Sequence, residues 1–300
     1  QGFMELTLGS VEKLIQKSGL TPSAIGLHGQ TITHAPKLHR TWQIGDGAWL
    51  AEKLGLPVVW DFRTYDMRQG GEGAPLAPIY HQALIDWLVD AGRLQASEPV
   101  ACLNIGGVAN VSFVVPVDAA SLMAFDIGPG GALLDDYMRS RTGKACDRDG
   151  ALAAAGSVDD NFCARLLADP WFQQPPPRSM DRGLFRQILE WPELQALTPA
   201  DAAASLSELI ALSAVRAIQF LPERPGRWLV CGGGRLNQHV MARLKARLGC
   251  VDAIDHFGLD GDMLEAQAFA YLAARVQAGL AFAFPATTGV TSAHGVARIS

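Results

Sequence analysis

The residues of this chain best suited to chemistry are one carboxylate and three sets of glycines, each set entered from an apolar run. Gly106 and Gly107 stand in NIGGVAN (104–110) after VACL, Gly128 and Gly130 in DIGPGG (126–131) after LMAF, and Gly232, Gly233 and Gly234 in GGGRLN (232–237) after WLVC. A strand that ends in glycine lets bare backbone N–H groups approach a phosphate closely. Three such turns therefore point to a nucleotide held from several sides and make phosphoryl transfer the first hypothesis. Asp126 ends its apolar run immediately before a glycine turn and a helical stretch. It either accepts a proton from a hydroxyl or water while the following amides face phosphate oxygens, or it caps the helix at 131–142. The turn at 232–234 suits close approach to an adenosine and its α-phosphate, with tight packing of helix on sheet as the alternative.

Two further constellations carry polar groups beside a glycine. In HGQT (28–31), Gly29 and Gln30 next to a histidine suit a polyhydroxylated ligand, and in DFR (61–63) the planar guanidinium of Arg63 suits a carboxylate or phosphate. His28 and His34 read first as turn or core histidines satisfied by backbone, and as a metal-binding pair they lack a third ligand nearby. Glu265 opens a helix whose other faces are apolar. It is either an exposed first-turn residue favoured by the helix dipole or a ligand group aimed into a cleft.

The elements that must position these residues alternate along the chain. Helical spacing runs over 3–18 and ends at Gly19, with further helices expected at 47–54, 76–91, 131–142, 160–168, 201–221, 236–248 and 262–278. Strands are expected at 24–28, 41–44, 57–60, 100–105, 111–117, 122–126, 227–231 and 251–255. This is an α/β pattern with glycine turns at strand ends, where open sheets place their ligands. The segment between Asn110 and Phe125 is too short for a crossover helix, so 100–126 should be successive antiparallel strands in a mixed sheet. The Pro- and Trp-rich stretch 169–200 reads as an ordered surface excursion.

With 300 residues, 49% of them hydrophobic, the chain can bury a large core and is long enough for two lobes. A net charge of -5, with the 25 basic residues scattered, leaves no electrostatic footprint for nucleic acid. The five cysteines form no C-x-x-C pair and read as buried thiols of a reducing compartment. No uninterrupted apolar stretch reaches the about 18 residues of a membrane span, and no basic-then-apolar segment opens the chain, so a cytoplasmic protein is expected. The first residue is Gln1 rather than Met, which hints at upstream sequence.

Taken together and in order, these motifs resemble anhydro-N-acetylmuramic acid kinase, within the sugar kinase, Hsc70 and actin superfamily. The resemblance rests on HGQTITHAP (28–36), TWQIGDGAWLAEKLGLPVVWDFR (41–63), GGEGAPLAPIYHQAL (70–84), LNIGGVANVS (103–112), FDIGPGGALLDDY (125–137), PPPRS (175–179), SLSELIALSAVRAI (205–218), VCGGGRLN (230–237) and LEAQAFAYLA (264–273). It implies an α/β fold of two ribonuclease H-like lobes of the actin-like ATPase type, with mixed five-stranded sheets flanked by helices and a cleft between the lobes. Residues 1–90 plus 266–300 would form the first lobe, N-terminally incomplete, and 91–265 the second. The implied activity is opening of a 1,6-anhydro bridge by water with phosphorylation of the freed O6, using ATP and Mg2+. By this likeness Asp126 would be the base that activates water. Gly106, Gly107 and Asn110 would face the β and γ phosphates. Gly128 and Gly130 would add to the nucleotide site, and Gly232, Gly233, Gly234 and Asn237 would serve the α-phosphate and adenosine. Gly29, Gln30, Arg63 and Glu265 would hold the sugar, and a homodimer is implied.

The chain departs from the family pattern in three places. The family's first phosphate loop, G-x-M-S-G-T-S-x-D-G, is not in this sequence; Gly131 stands where Asn is usual; and Ser179-Met-Asp-Arg-Gly183 stands where Ser-Thr-Gly-Arg-Glu is usual. Two competing functions follow. One is a truncated relative that binds sugar or nucleotide without turnover. The other is an ATP-independent glycoside hydrolase using Asp126 and Glu265 as a carboxylate pair, for which three phosphate-type turns would have no use.

Overall fold

The structure, a computed structural model, describes residues 2–300. In chain order its first elements are α1 (Gly2–Ser18), β1 (Ile25–Leu27), β2 (Gln30–Ala35), β3 (Arg40–Ile44), α2 (Gly47–Leu54), β4 (Val58–Trp60), α3 (Thr64–Arg68) and α4 (Pro78–Asp90). Then come β5 (Val100–Ile105), β6 (Val108–Val115), β7 (Asp118–Pro129), α5 (Gly131–Thr142), α6 (Ala151–Ala154), α7 (Asp160–Leu167), α8 (Pro192–Ala196), α9 (Pro199–Ala217), β8 (Arg227–Cys231), α10 (Gln238–Leu248) and β9 (Val251–Ala253). The chain ends with α11 (Leu264–Gln277), α12 (Pro285–Thr288) and β10 (Arg298–Ile299). These divide into two compact units, 1–80 with 265–300 and 81–264. Residues 81–90, expected in the first lobe, group with unit 2, where His81 and Gln82 bond to Ser112 and Val115 of β6.

Unit 2 is built on a mixed five-stranded sheet in the order β7-β6-β5-β8-β9. β5, β6 and β7 form an antiparallel meander, while β8 and β9 run parallel to β5. The apolar runs VACL and WLVC form the central pair and are buried on both faces, which is why they read as continuous apolar segments rather than alternating ones. α9 starts at an N-cap, Thr198, with Pro199 in the first turn. Its Ile210, Ala211, Ala214 and Ala217 pack on the sheet core. Its Ala202, Ala203, Leu206 and Leu209 pack on a second core with Phe162, Trp171, Phe172 and Phe185. Buried on two sides, α9 is apolar toward both cores, and its one buried charge, Glu208, is paired with Arg243 and Arg247 of α10. The stretch Pro199–Phe220 has the length and composition of a membrane span, and 67% of that window is buried within the protein. The Pro-rich excursion is ordered through that second core, where Trp171 and Phe172 meet edge-on with ring centroids 5.2 Å apart.

Unit 1 carries a three-stranded sheet in the order β1-β4-β10, with β1 parallel and β10 antiparallel to β4. The hairpin of β2 and β3 stands as a separate two-stranded sheet. Five strands in one sheet, expected of both lobes, are thus present in unit 2, while among the described residues of unit 1 three strands share a sheet. A Cβ at Gly26 of β1 would lie 2.2 Å from the Phe269 carbonyl oxygen, so this glycine lets α11 press directly on the strand. The expectation of buried thiols holds for Cys102, Cys163 and Cys231. It fails for Cys146 and Cys250, which sit in exposed turns after α5 and α10. Burial pushes the Cys163 and Cys231 thiols up to about 12.

Candidate active site

In unit 2 the ends of β5, β7 and β8 converge on a cavity of about 580 Å3. Gly106 and Gly107 of the β5–β6 turn line it, together with Gly131, Gly233, Gly234 and Asn237. The turns brace one another, because Gly130 N donates to the Gly107 carbonyl at 3.1 Å and Gly131 N to the Gly106 carbonyl at 2.8 Å. α5 opens from Gly130 with no side-chain cap, so the positive end of a twelve-residue helix stands beside the cavity.

The glycines do different work. A Cβ on Gly233 would meet nothing within 4 Å, and one on Gly106 nothing closer than the Val108 carbonyl oxygen at 3.6 Å. Neither position is a glycine for want of room, and at Gly106 the N–H is already bonded, donating to the Val108 carbonyl at 3.2 Å. Gly234 is required by packing, since its Cβ would lie 2.2 Å from Ile105 Cγ2. Gly232 has φ +73 and stands against Asn104. Gly128, Gly130, Gly232 and Asn110, all expected at the nucleotide, are not among the residues lining the cavity. A Cβ on Gly128 would meet Ser213 Oγ of α9 at 2.7 Å, and one on Gly130 the Gly106 carbonyl oxygen at 2.4 Å, so the first is needed for packing on α9 and the second for packing of the turns. Asn237 lines the cavity, and its Oδ1 caps α10 by accepting from Val240 N at 3.0 Å.

Arg235 fastens the last glycine turn, a role that its place in GGGRLN did not suggest. It is buried, with Nε 2.7 Å from Asp255 and Nη1 2.8 Å from Asp262 and 3.1 Å from the Gly232 carbonyl. These bonds, that to Asp255 first, raise its pKa still further. The cavity also holds charges missed in the sequence: Asp135, Arg139, Asp147, Arg148, Asp149 and Arg182. Asp147 is consumed by α6, accepting from Leu152 N and Ala153 N at 2.8 and 2.9 Å. Burial raises the Asp135 carboxyl above its ordinary range.

Asp126 lies on β7 directly opposite Asn110, which in turn lies opposite Asn104 on β5. Cross-strand partners point to one face, so Asn104, Asn110 and Asp126 form a polar row across three strands of the sheet. A register shift between Ala109 and Asn110 leaves Ile127 as an extra residue on β7, a bulge of the kind that re-aims side chains beside sites. Asp126 does not cap α5. Its Oδ2 accepts from Met180 N at 2.7 Å, its backbone N–H donates to Arg178 O at 3.1 Å, and Arg178 Nε donates to its carbonyl at 2.9 Å. Arg178 is buried against Trp171, Phe220 and Phe125, and its removal from water lowers its pKa to about 10.

The remaining expected residues belong to unit 1. Gly29, with φ +75, lines a cavity of about 280 Å3 together with His28, Thr41, Gln43, Asp61, Arg298 and two tryptophans, Trp42 and Trp60. Arg63 holds His28 Nε2 at 2.9 Å and the Gly73 carbonyl at 2.6 Å. Burial first, and Arg63 second, lower His28 to about 4, so its ring is neutral and Nε2 accepts from the guanidinium. Gln30 is exposed on β2 and Glu265 is exposed in the first turn of α11; neither lines this cavity. Sequence inspection also missed Asp66. It is fully buried, accepts from Gly73 N and Thr288 Oγ1 at 2.7 Å each, and lies 3.0 Å from His294 Nε2. Among the described residues no three His, Cys, Asp or Glu side chains converge as a metal site.

The sequence profile described as anhydro-N-acetylmuramic acid kinase matches residues 1–299. The chain belongs to the anhydro-N-acetylmuramic acid kinase family. Relatives that bear this name include those of Ruegeria sp. (strain TM1040), 46% identical over 90% of this chain and 72% of its own, and Rhodospirillum rubrum, 48% identical over 92% and 71%. That of Gluconobacter oxydans is 47% identical over 95% of this chain and 78% of its own. Against the family pattern, Gly131 leaves room for the usual Asn, since its Cβ would meet only the Gly106 carbonyl oxygen at 3.6 Å.

Proposed function

We propose that this chain opens 1,6-anhydro-N-acetylmuramic acid with water and phosphorylates the freed O6 from ATP, as an anhydro-N-acetylmuramic acid kinase of peptidoglycan recycling. The observation that carries the reading is membership of that family over residues 1–299. Supporting its chemistry is the unit 2 cavity, with glycines of two turns, Gly106, Gly107, Gly233 and Gly234, in its wall and a helix N-terminus beside it. Neither the binding-only relative nor the hydrolase is favoured over this activity.

In this reading Asp126 accepts a proton from the attacking water, whose oxygen bonds to C1 as the C1–O6 bond breaks. O6 takes the γ-phosphoryl group, the bond to the β-phosphate oxygen breaks, ADP leaves, and Asp126 passes its proton to solvent. Phosphoryl transfer needs little covalent help from the protein and depends on positioning and charge neutralisation. Gly107, Gly233 and Gly234 offer the triphosphate backbone amides, Gly106 lets it approach the first turn closely, and Asn237 borders the adenosine. Mg2+ is commonly bound through one or two carboxylates together with substrate phosphates, and Asp135 in the cavity wall would be the carboxylate to hold it. The ion would neutralise charge on the β- and γ-oxygens. Gly29, the Arg63–His28 pair, Gln30 and Glu265 serve the sugar. The family resemblance supports a cytoplasmic homodimer.

Incubation with ATP, Mg2+ and the anhydrosugar should yield ADP and N-acetylmuramic acid 6-phosphate in equal amounts, with oxygen from labelled water at C1. Absence of ADP removes the kinase reading, and ring opening without nucleotide would restore the hydrolase.

A further inference from the structure

One short segment joins the proposed base to the phosphate-type turn. At its start Arg178 and Met180 bond Asp126, and two residues on Arg182 reaches the wall of the unit 2 cavity. A Cβ built on Gly107 would lie 3.5 Å from Arg182 Cδ and 3.7 Å from its Nε, so the base of this guanidinium lies against the β5–β6 turn. Its side chain is 62% exposed, and its ion pair with Asp136 is long, at 3.8 Å. The other cavity arginines are placed differently. Arg139 is held by Asp136 at 2.7 Å, and Arg148 belongs to a short turn whose Gly150 abuts Asn237, on the α10 side.

We infer that Arg182 is a catalytic residue of the kinase reaction, its guanidinium contacting the γ-phosphoryl group as it moves from ADP to O6. The inference rests on the proposed nucleotide site in unit 2. A planar cation with paired donors matches the equatorial oxygens of the transferring group, and one placed where charge is redistributed contributes more to the transition state than to the bound ground state. The segment 178–182 thereby sets the two ends of the coupled reaction, the base at Asp126 for attack on C1 and the cation at the phosphate turn for transfer to O6. This gives the Pro-rich excursion a use beyond packing.

The test combines Arg182→Ala, Arg182→Lys and Asp136→Asn with turnover, nucleotide affinity and melting temperature. Arg182→Ala should lower kcat about a hundredfold or more, the scale of one lost transition-state donor. It should weaken a non-hydrolysable ATP analogue but leave ADP affinity and melting temperature unchanged, with Arg182→Lys falling between. Asp136→Asn should leave kcat within about twofold, since a long exposed ion pair contributes little. Equal loss of ADP and ATP-analogue affinity, a parallel loss in Asp136→Asn, or an Arg182→Ala kcat close to that of the active parent would each overturn the inference. A parent that makes no ADP fails at the earlier proposal and takes this one with it.

Discussion

At the scale of single residues, the chemistry assigned to Asp126 depends on its carboxylate being held in a fixed position. Its Oδ2 accepts from Met180 N, while Arg178 fixes the strand on which it rides by accepting from the Asp126 N–H with its carbonyl and donating to the Asp126 carbonyl with its guanidinium. Asp126→Asn keeps the shape and these backbone bonds, so nucleotide affinity should be spared while turnover falls about a hundredfold or more, the scale of a lost general base. Near-normal turnover of that variant in an ADP-release assay would remove Asp126 from the role. The carboxylate itself was legible in the sequence, because an acid ending an apolar strand before glycines is chemically out of place. Its partners were not, since Arg178 and Met180 lie 52 and 54 residues away and sequence spacing carries no sign of such contacts. Arg182 and Arg235 were hidden for the same reason: nothing about an arginine in a loop distinguishes a cavity wall from solvent.

At the scale of elements, the glycine turns separate into those that open backbone and those that let backbones touch, and substitution should tell them apart. Gly130→Ala drives a methyl group to 2.4 Å from a backbone oxygen in the neighbouring turn, and should cost about 1–3 kcal/mol in denaturant unfolding. Gly233→Ala meets nothing within 4 Å, so stability should stay within about 0.5 kcal/mol while KM for ATP rises. If Gly233→Ala leaves KM untouched, the third turn does not approach the nucleotide. Periodicity sufficed for most elements: the helix expected at 131–142 is Gly131–Thr142, and that at 47–54 is Gly47–Leu54. β2 escaped because QTITHA is exposed or half-buried throughout and shows no alternation, and β10 because two residues carry no period. The order of the five-stranded sheet was beyond reach, since the pairing of β5 with β8 joins segments separated by more than a hundred residues.

At the scale of the molecule, acid stability is governed by histidines that folding keeps neutral. His28 in unit 1 and His81 in unit 2 are both lowered to about 4 from an ordinary value of 6.5, His28 by burial and then by Arg63, His81 by burial. Above pH 6.5 both are neutral whether folded or not, and they add no pH dependence. As pH falls from 6.5 towards 4, only the unfolded chain takes up these protons. Stability must therefore drop by up to about 1.4 kcal/mol per pH unit for each histidine. Glu208 acts in a lower window. Burial pushes its carboxyl up, but the bonds and charges of Arg243 and Arg247 outweigh that and hold it below its ordinary value. Its contribution is complete above the unfolded carboxyl range and is lost only as pH falls through the lower folded value. Unfolding free energy measured from pH 7 down to pH 4.5 should accordingly begin to fall near pH 6.5, before carboxylates titrate. In His81→Gln that slope should flatten by the share of one histidine. A profile level down to pH 5 would mean that neither ring is held neutral. It would also undo the assignment of His28 Nε2 as the acceptor that orients Arg63.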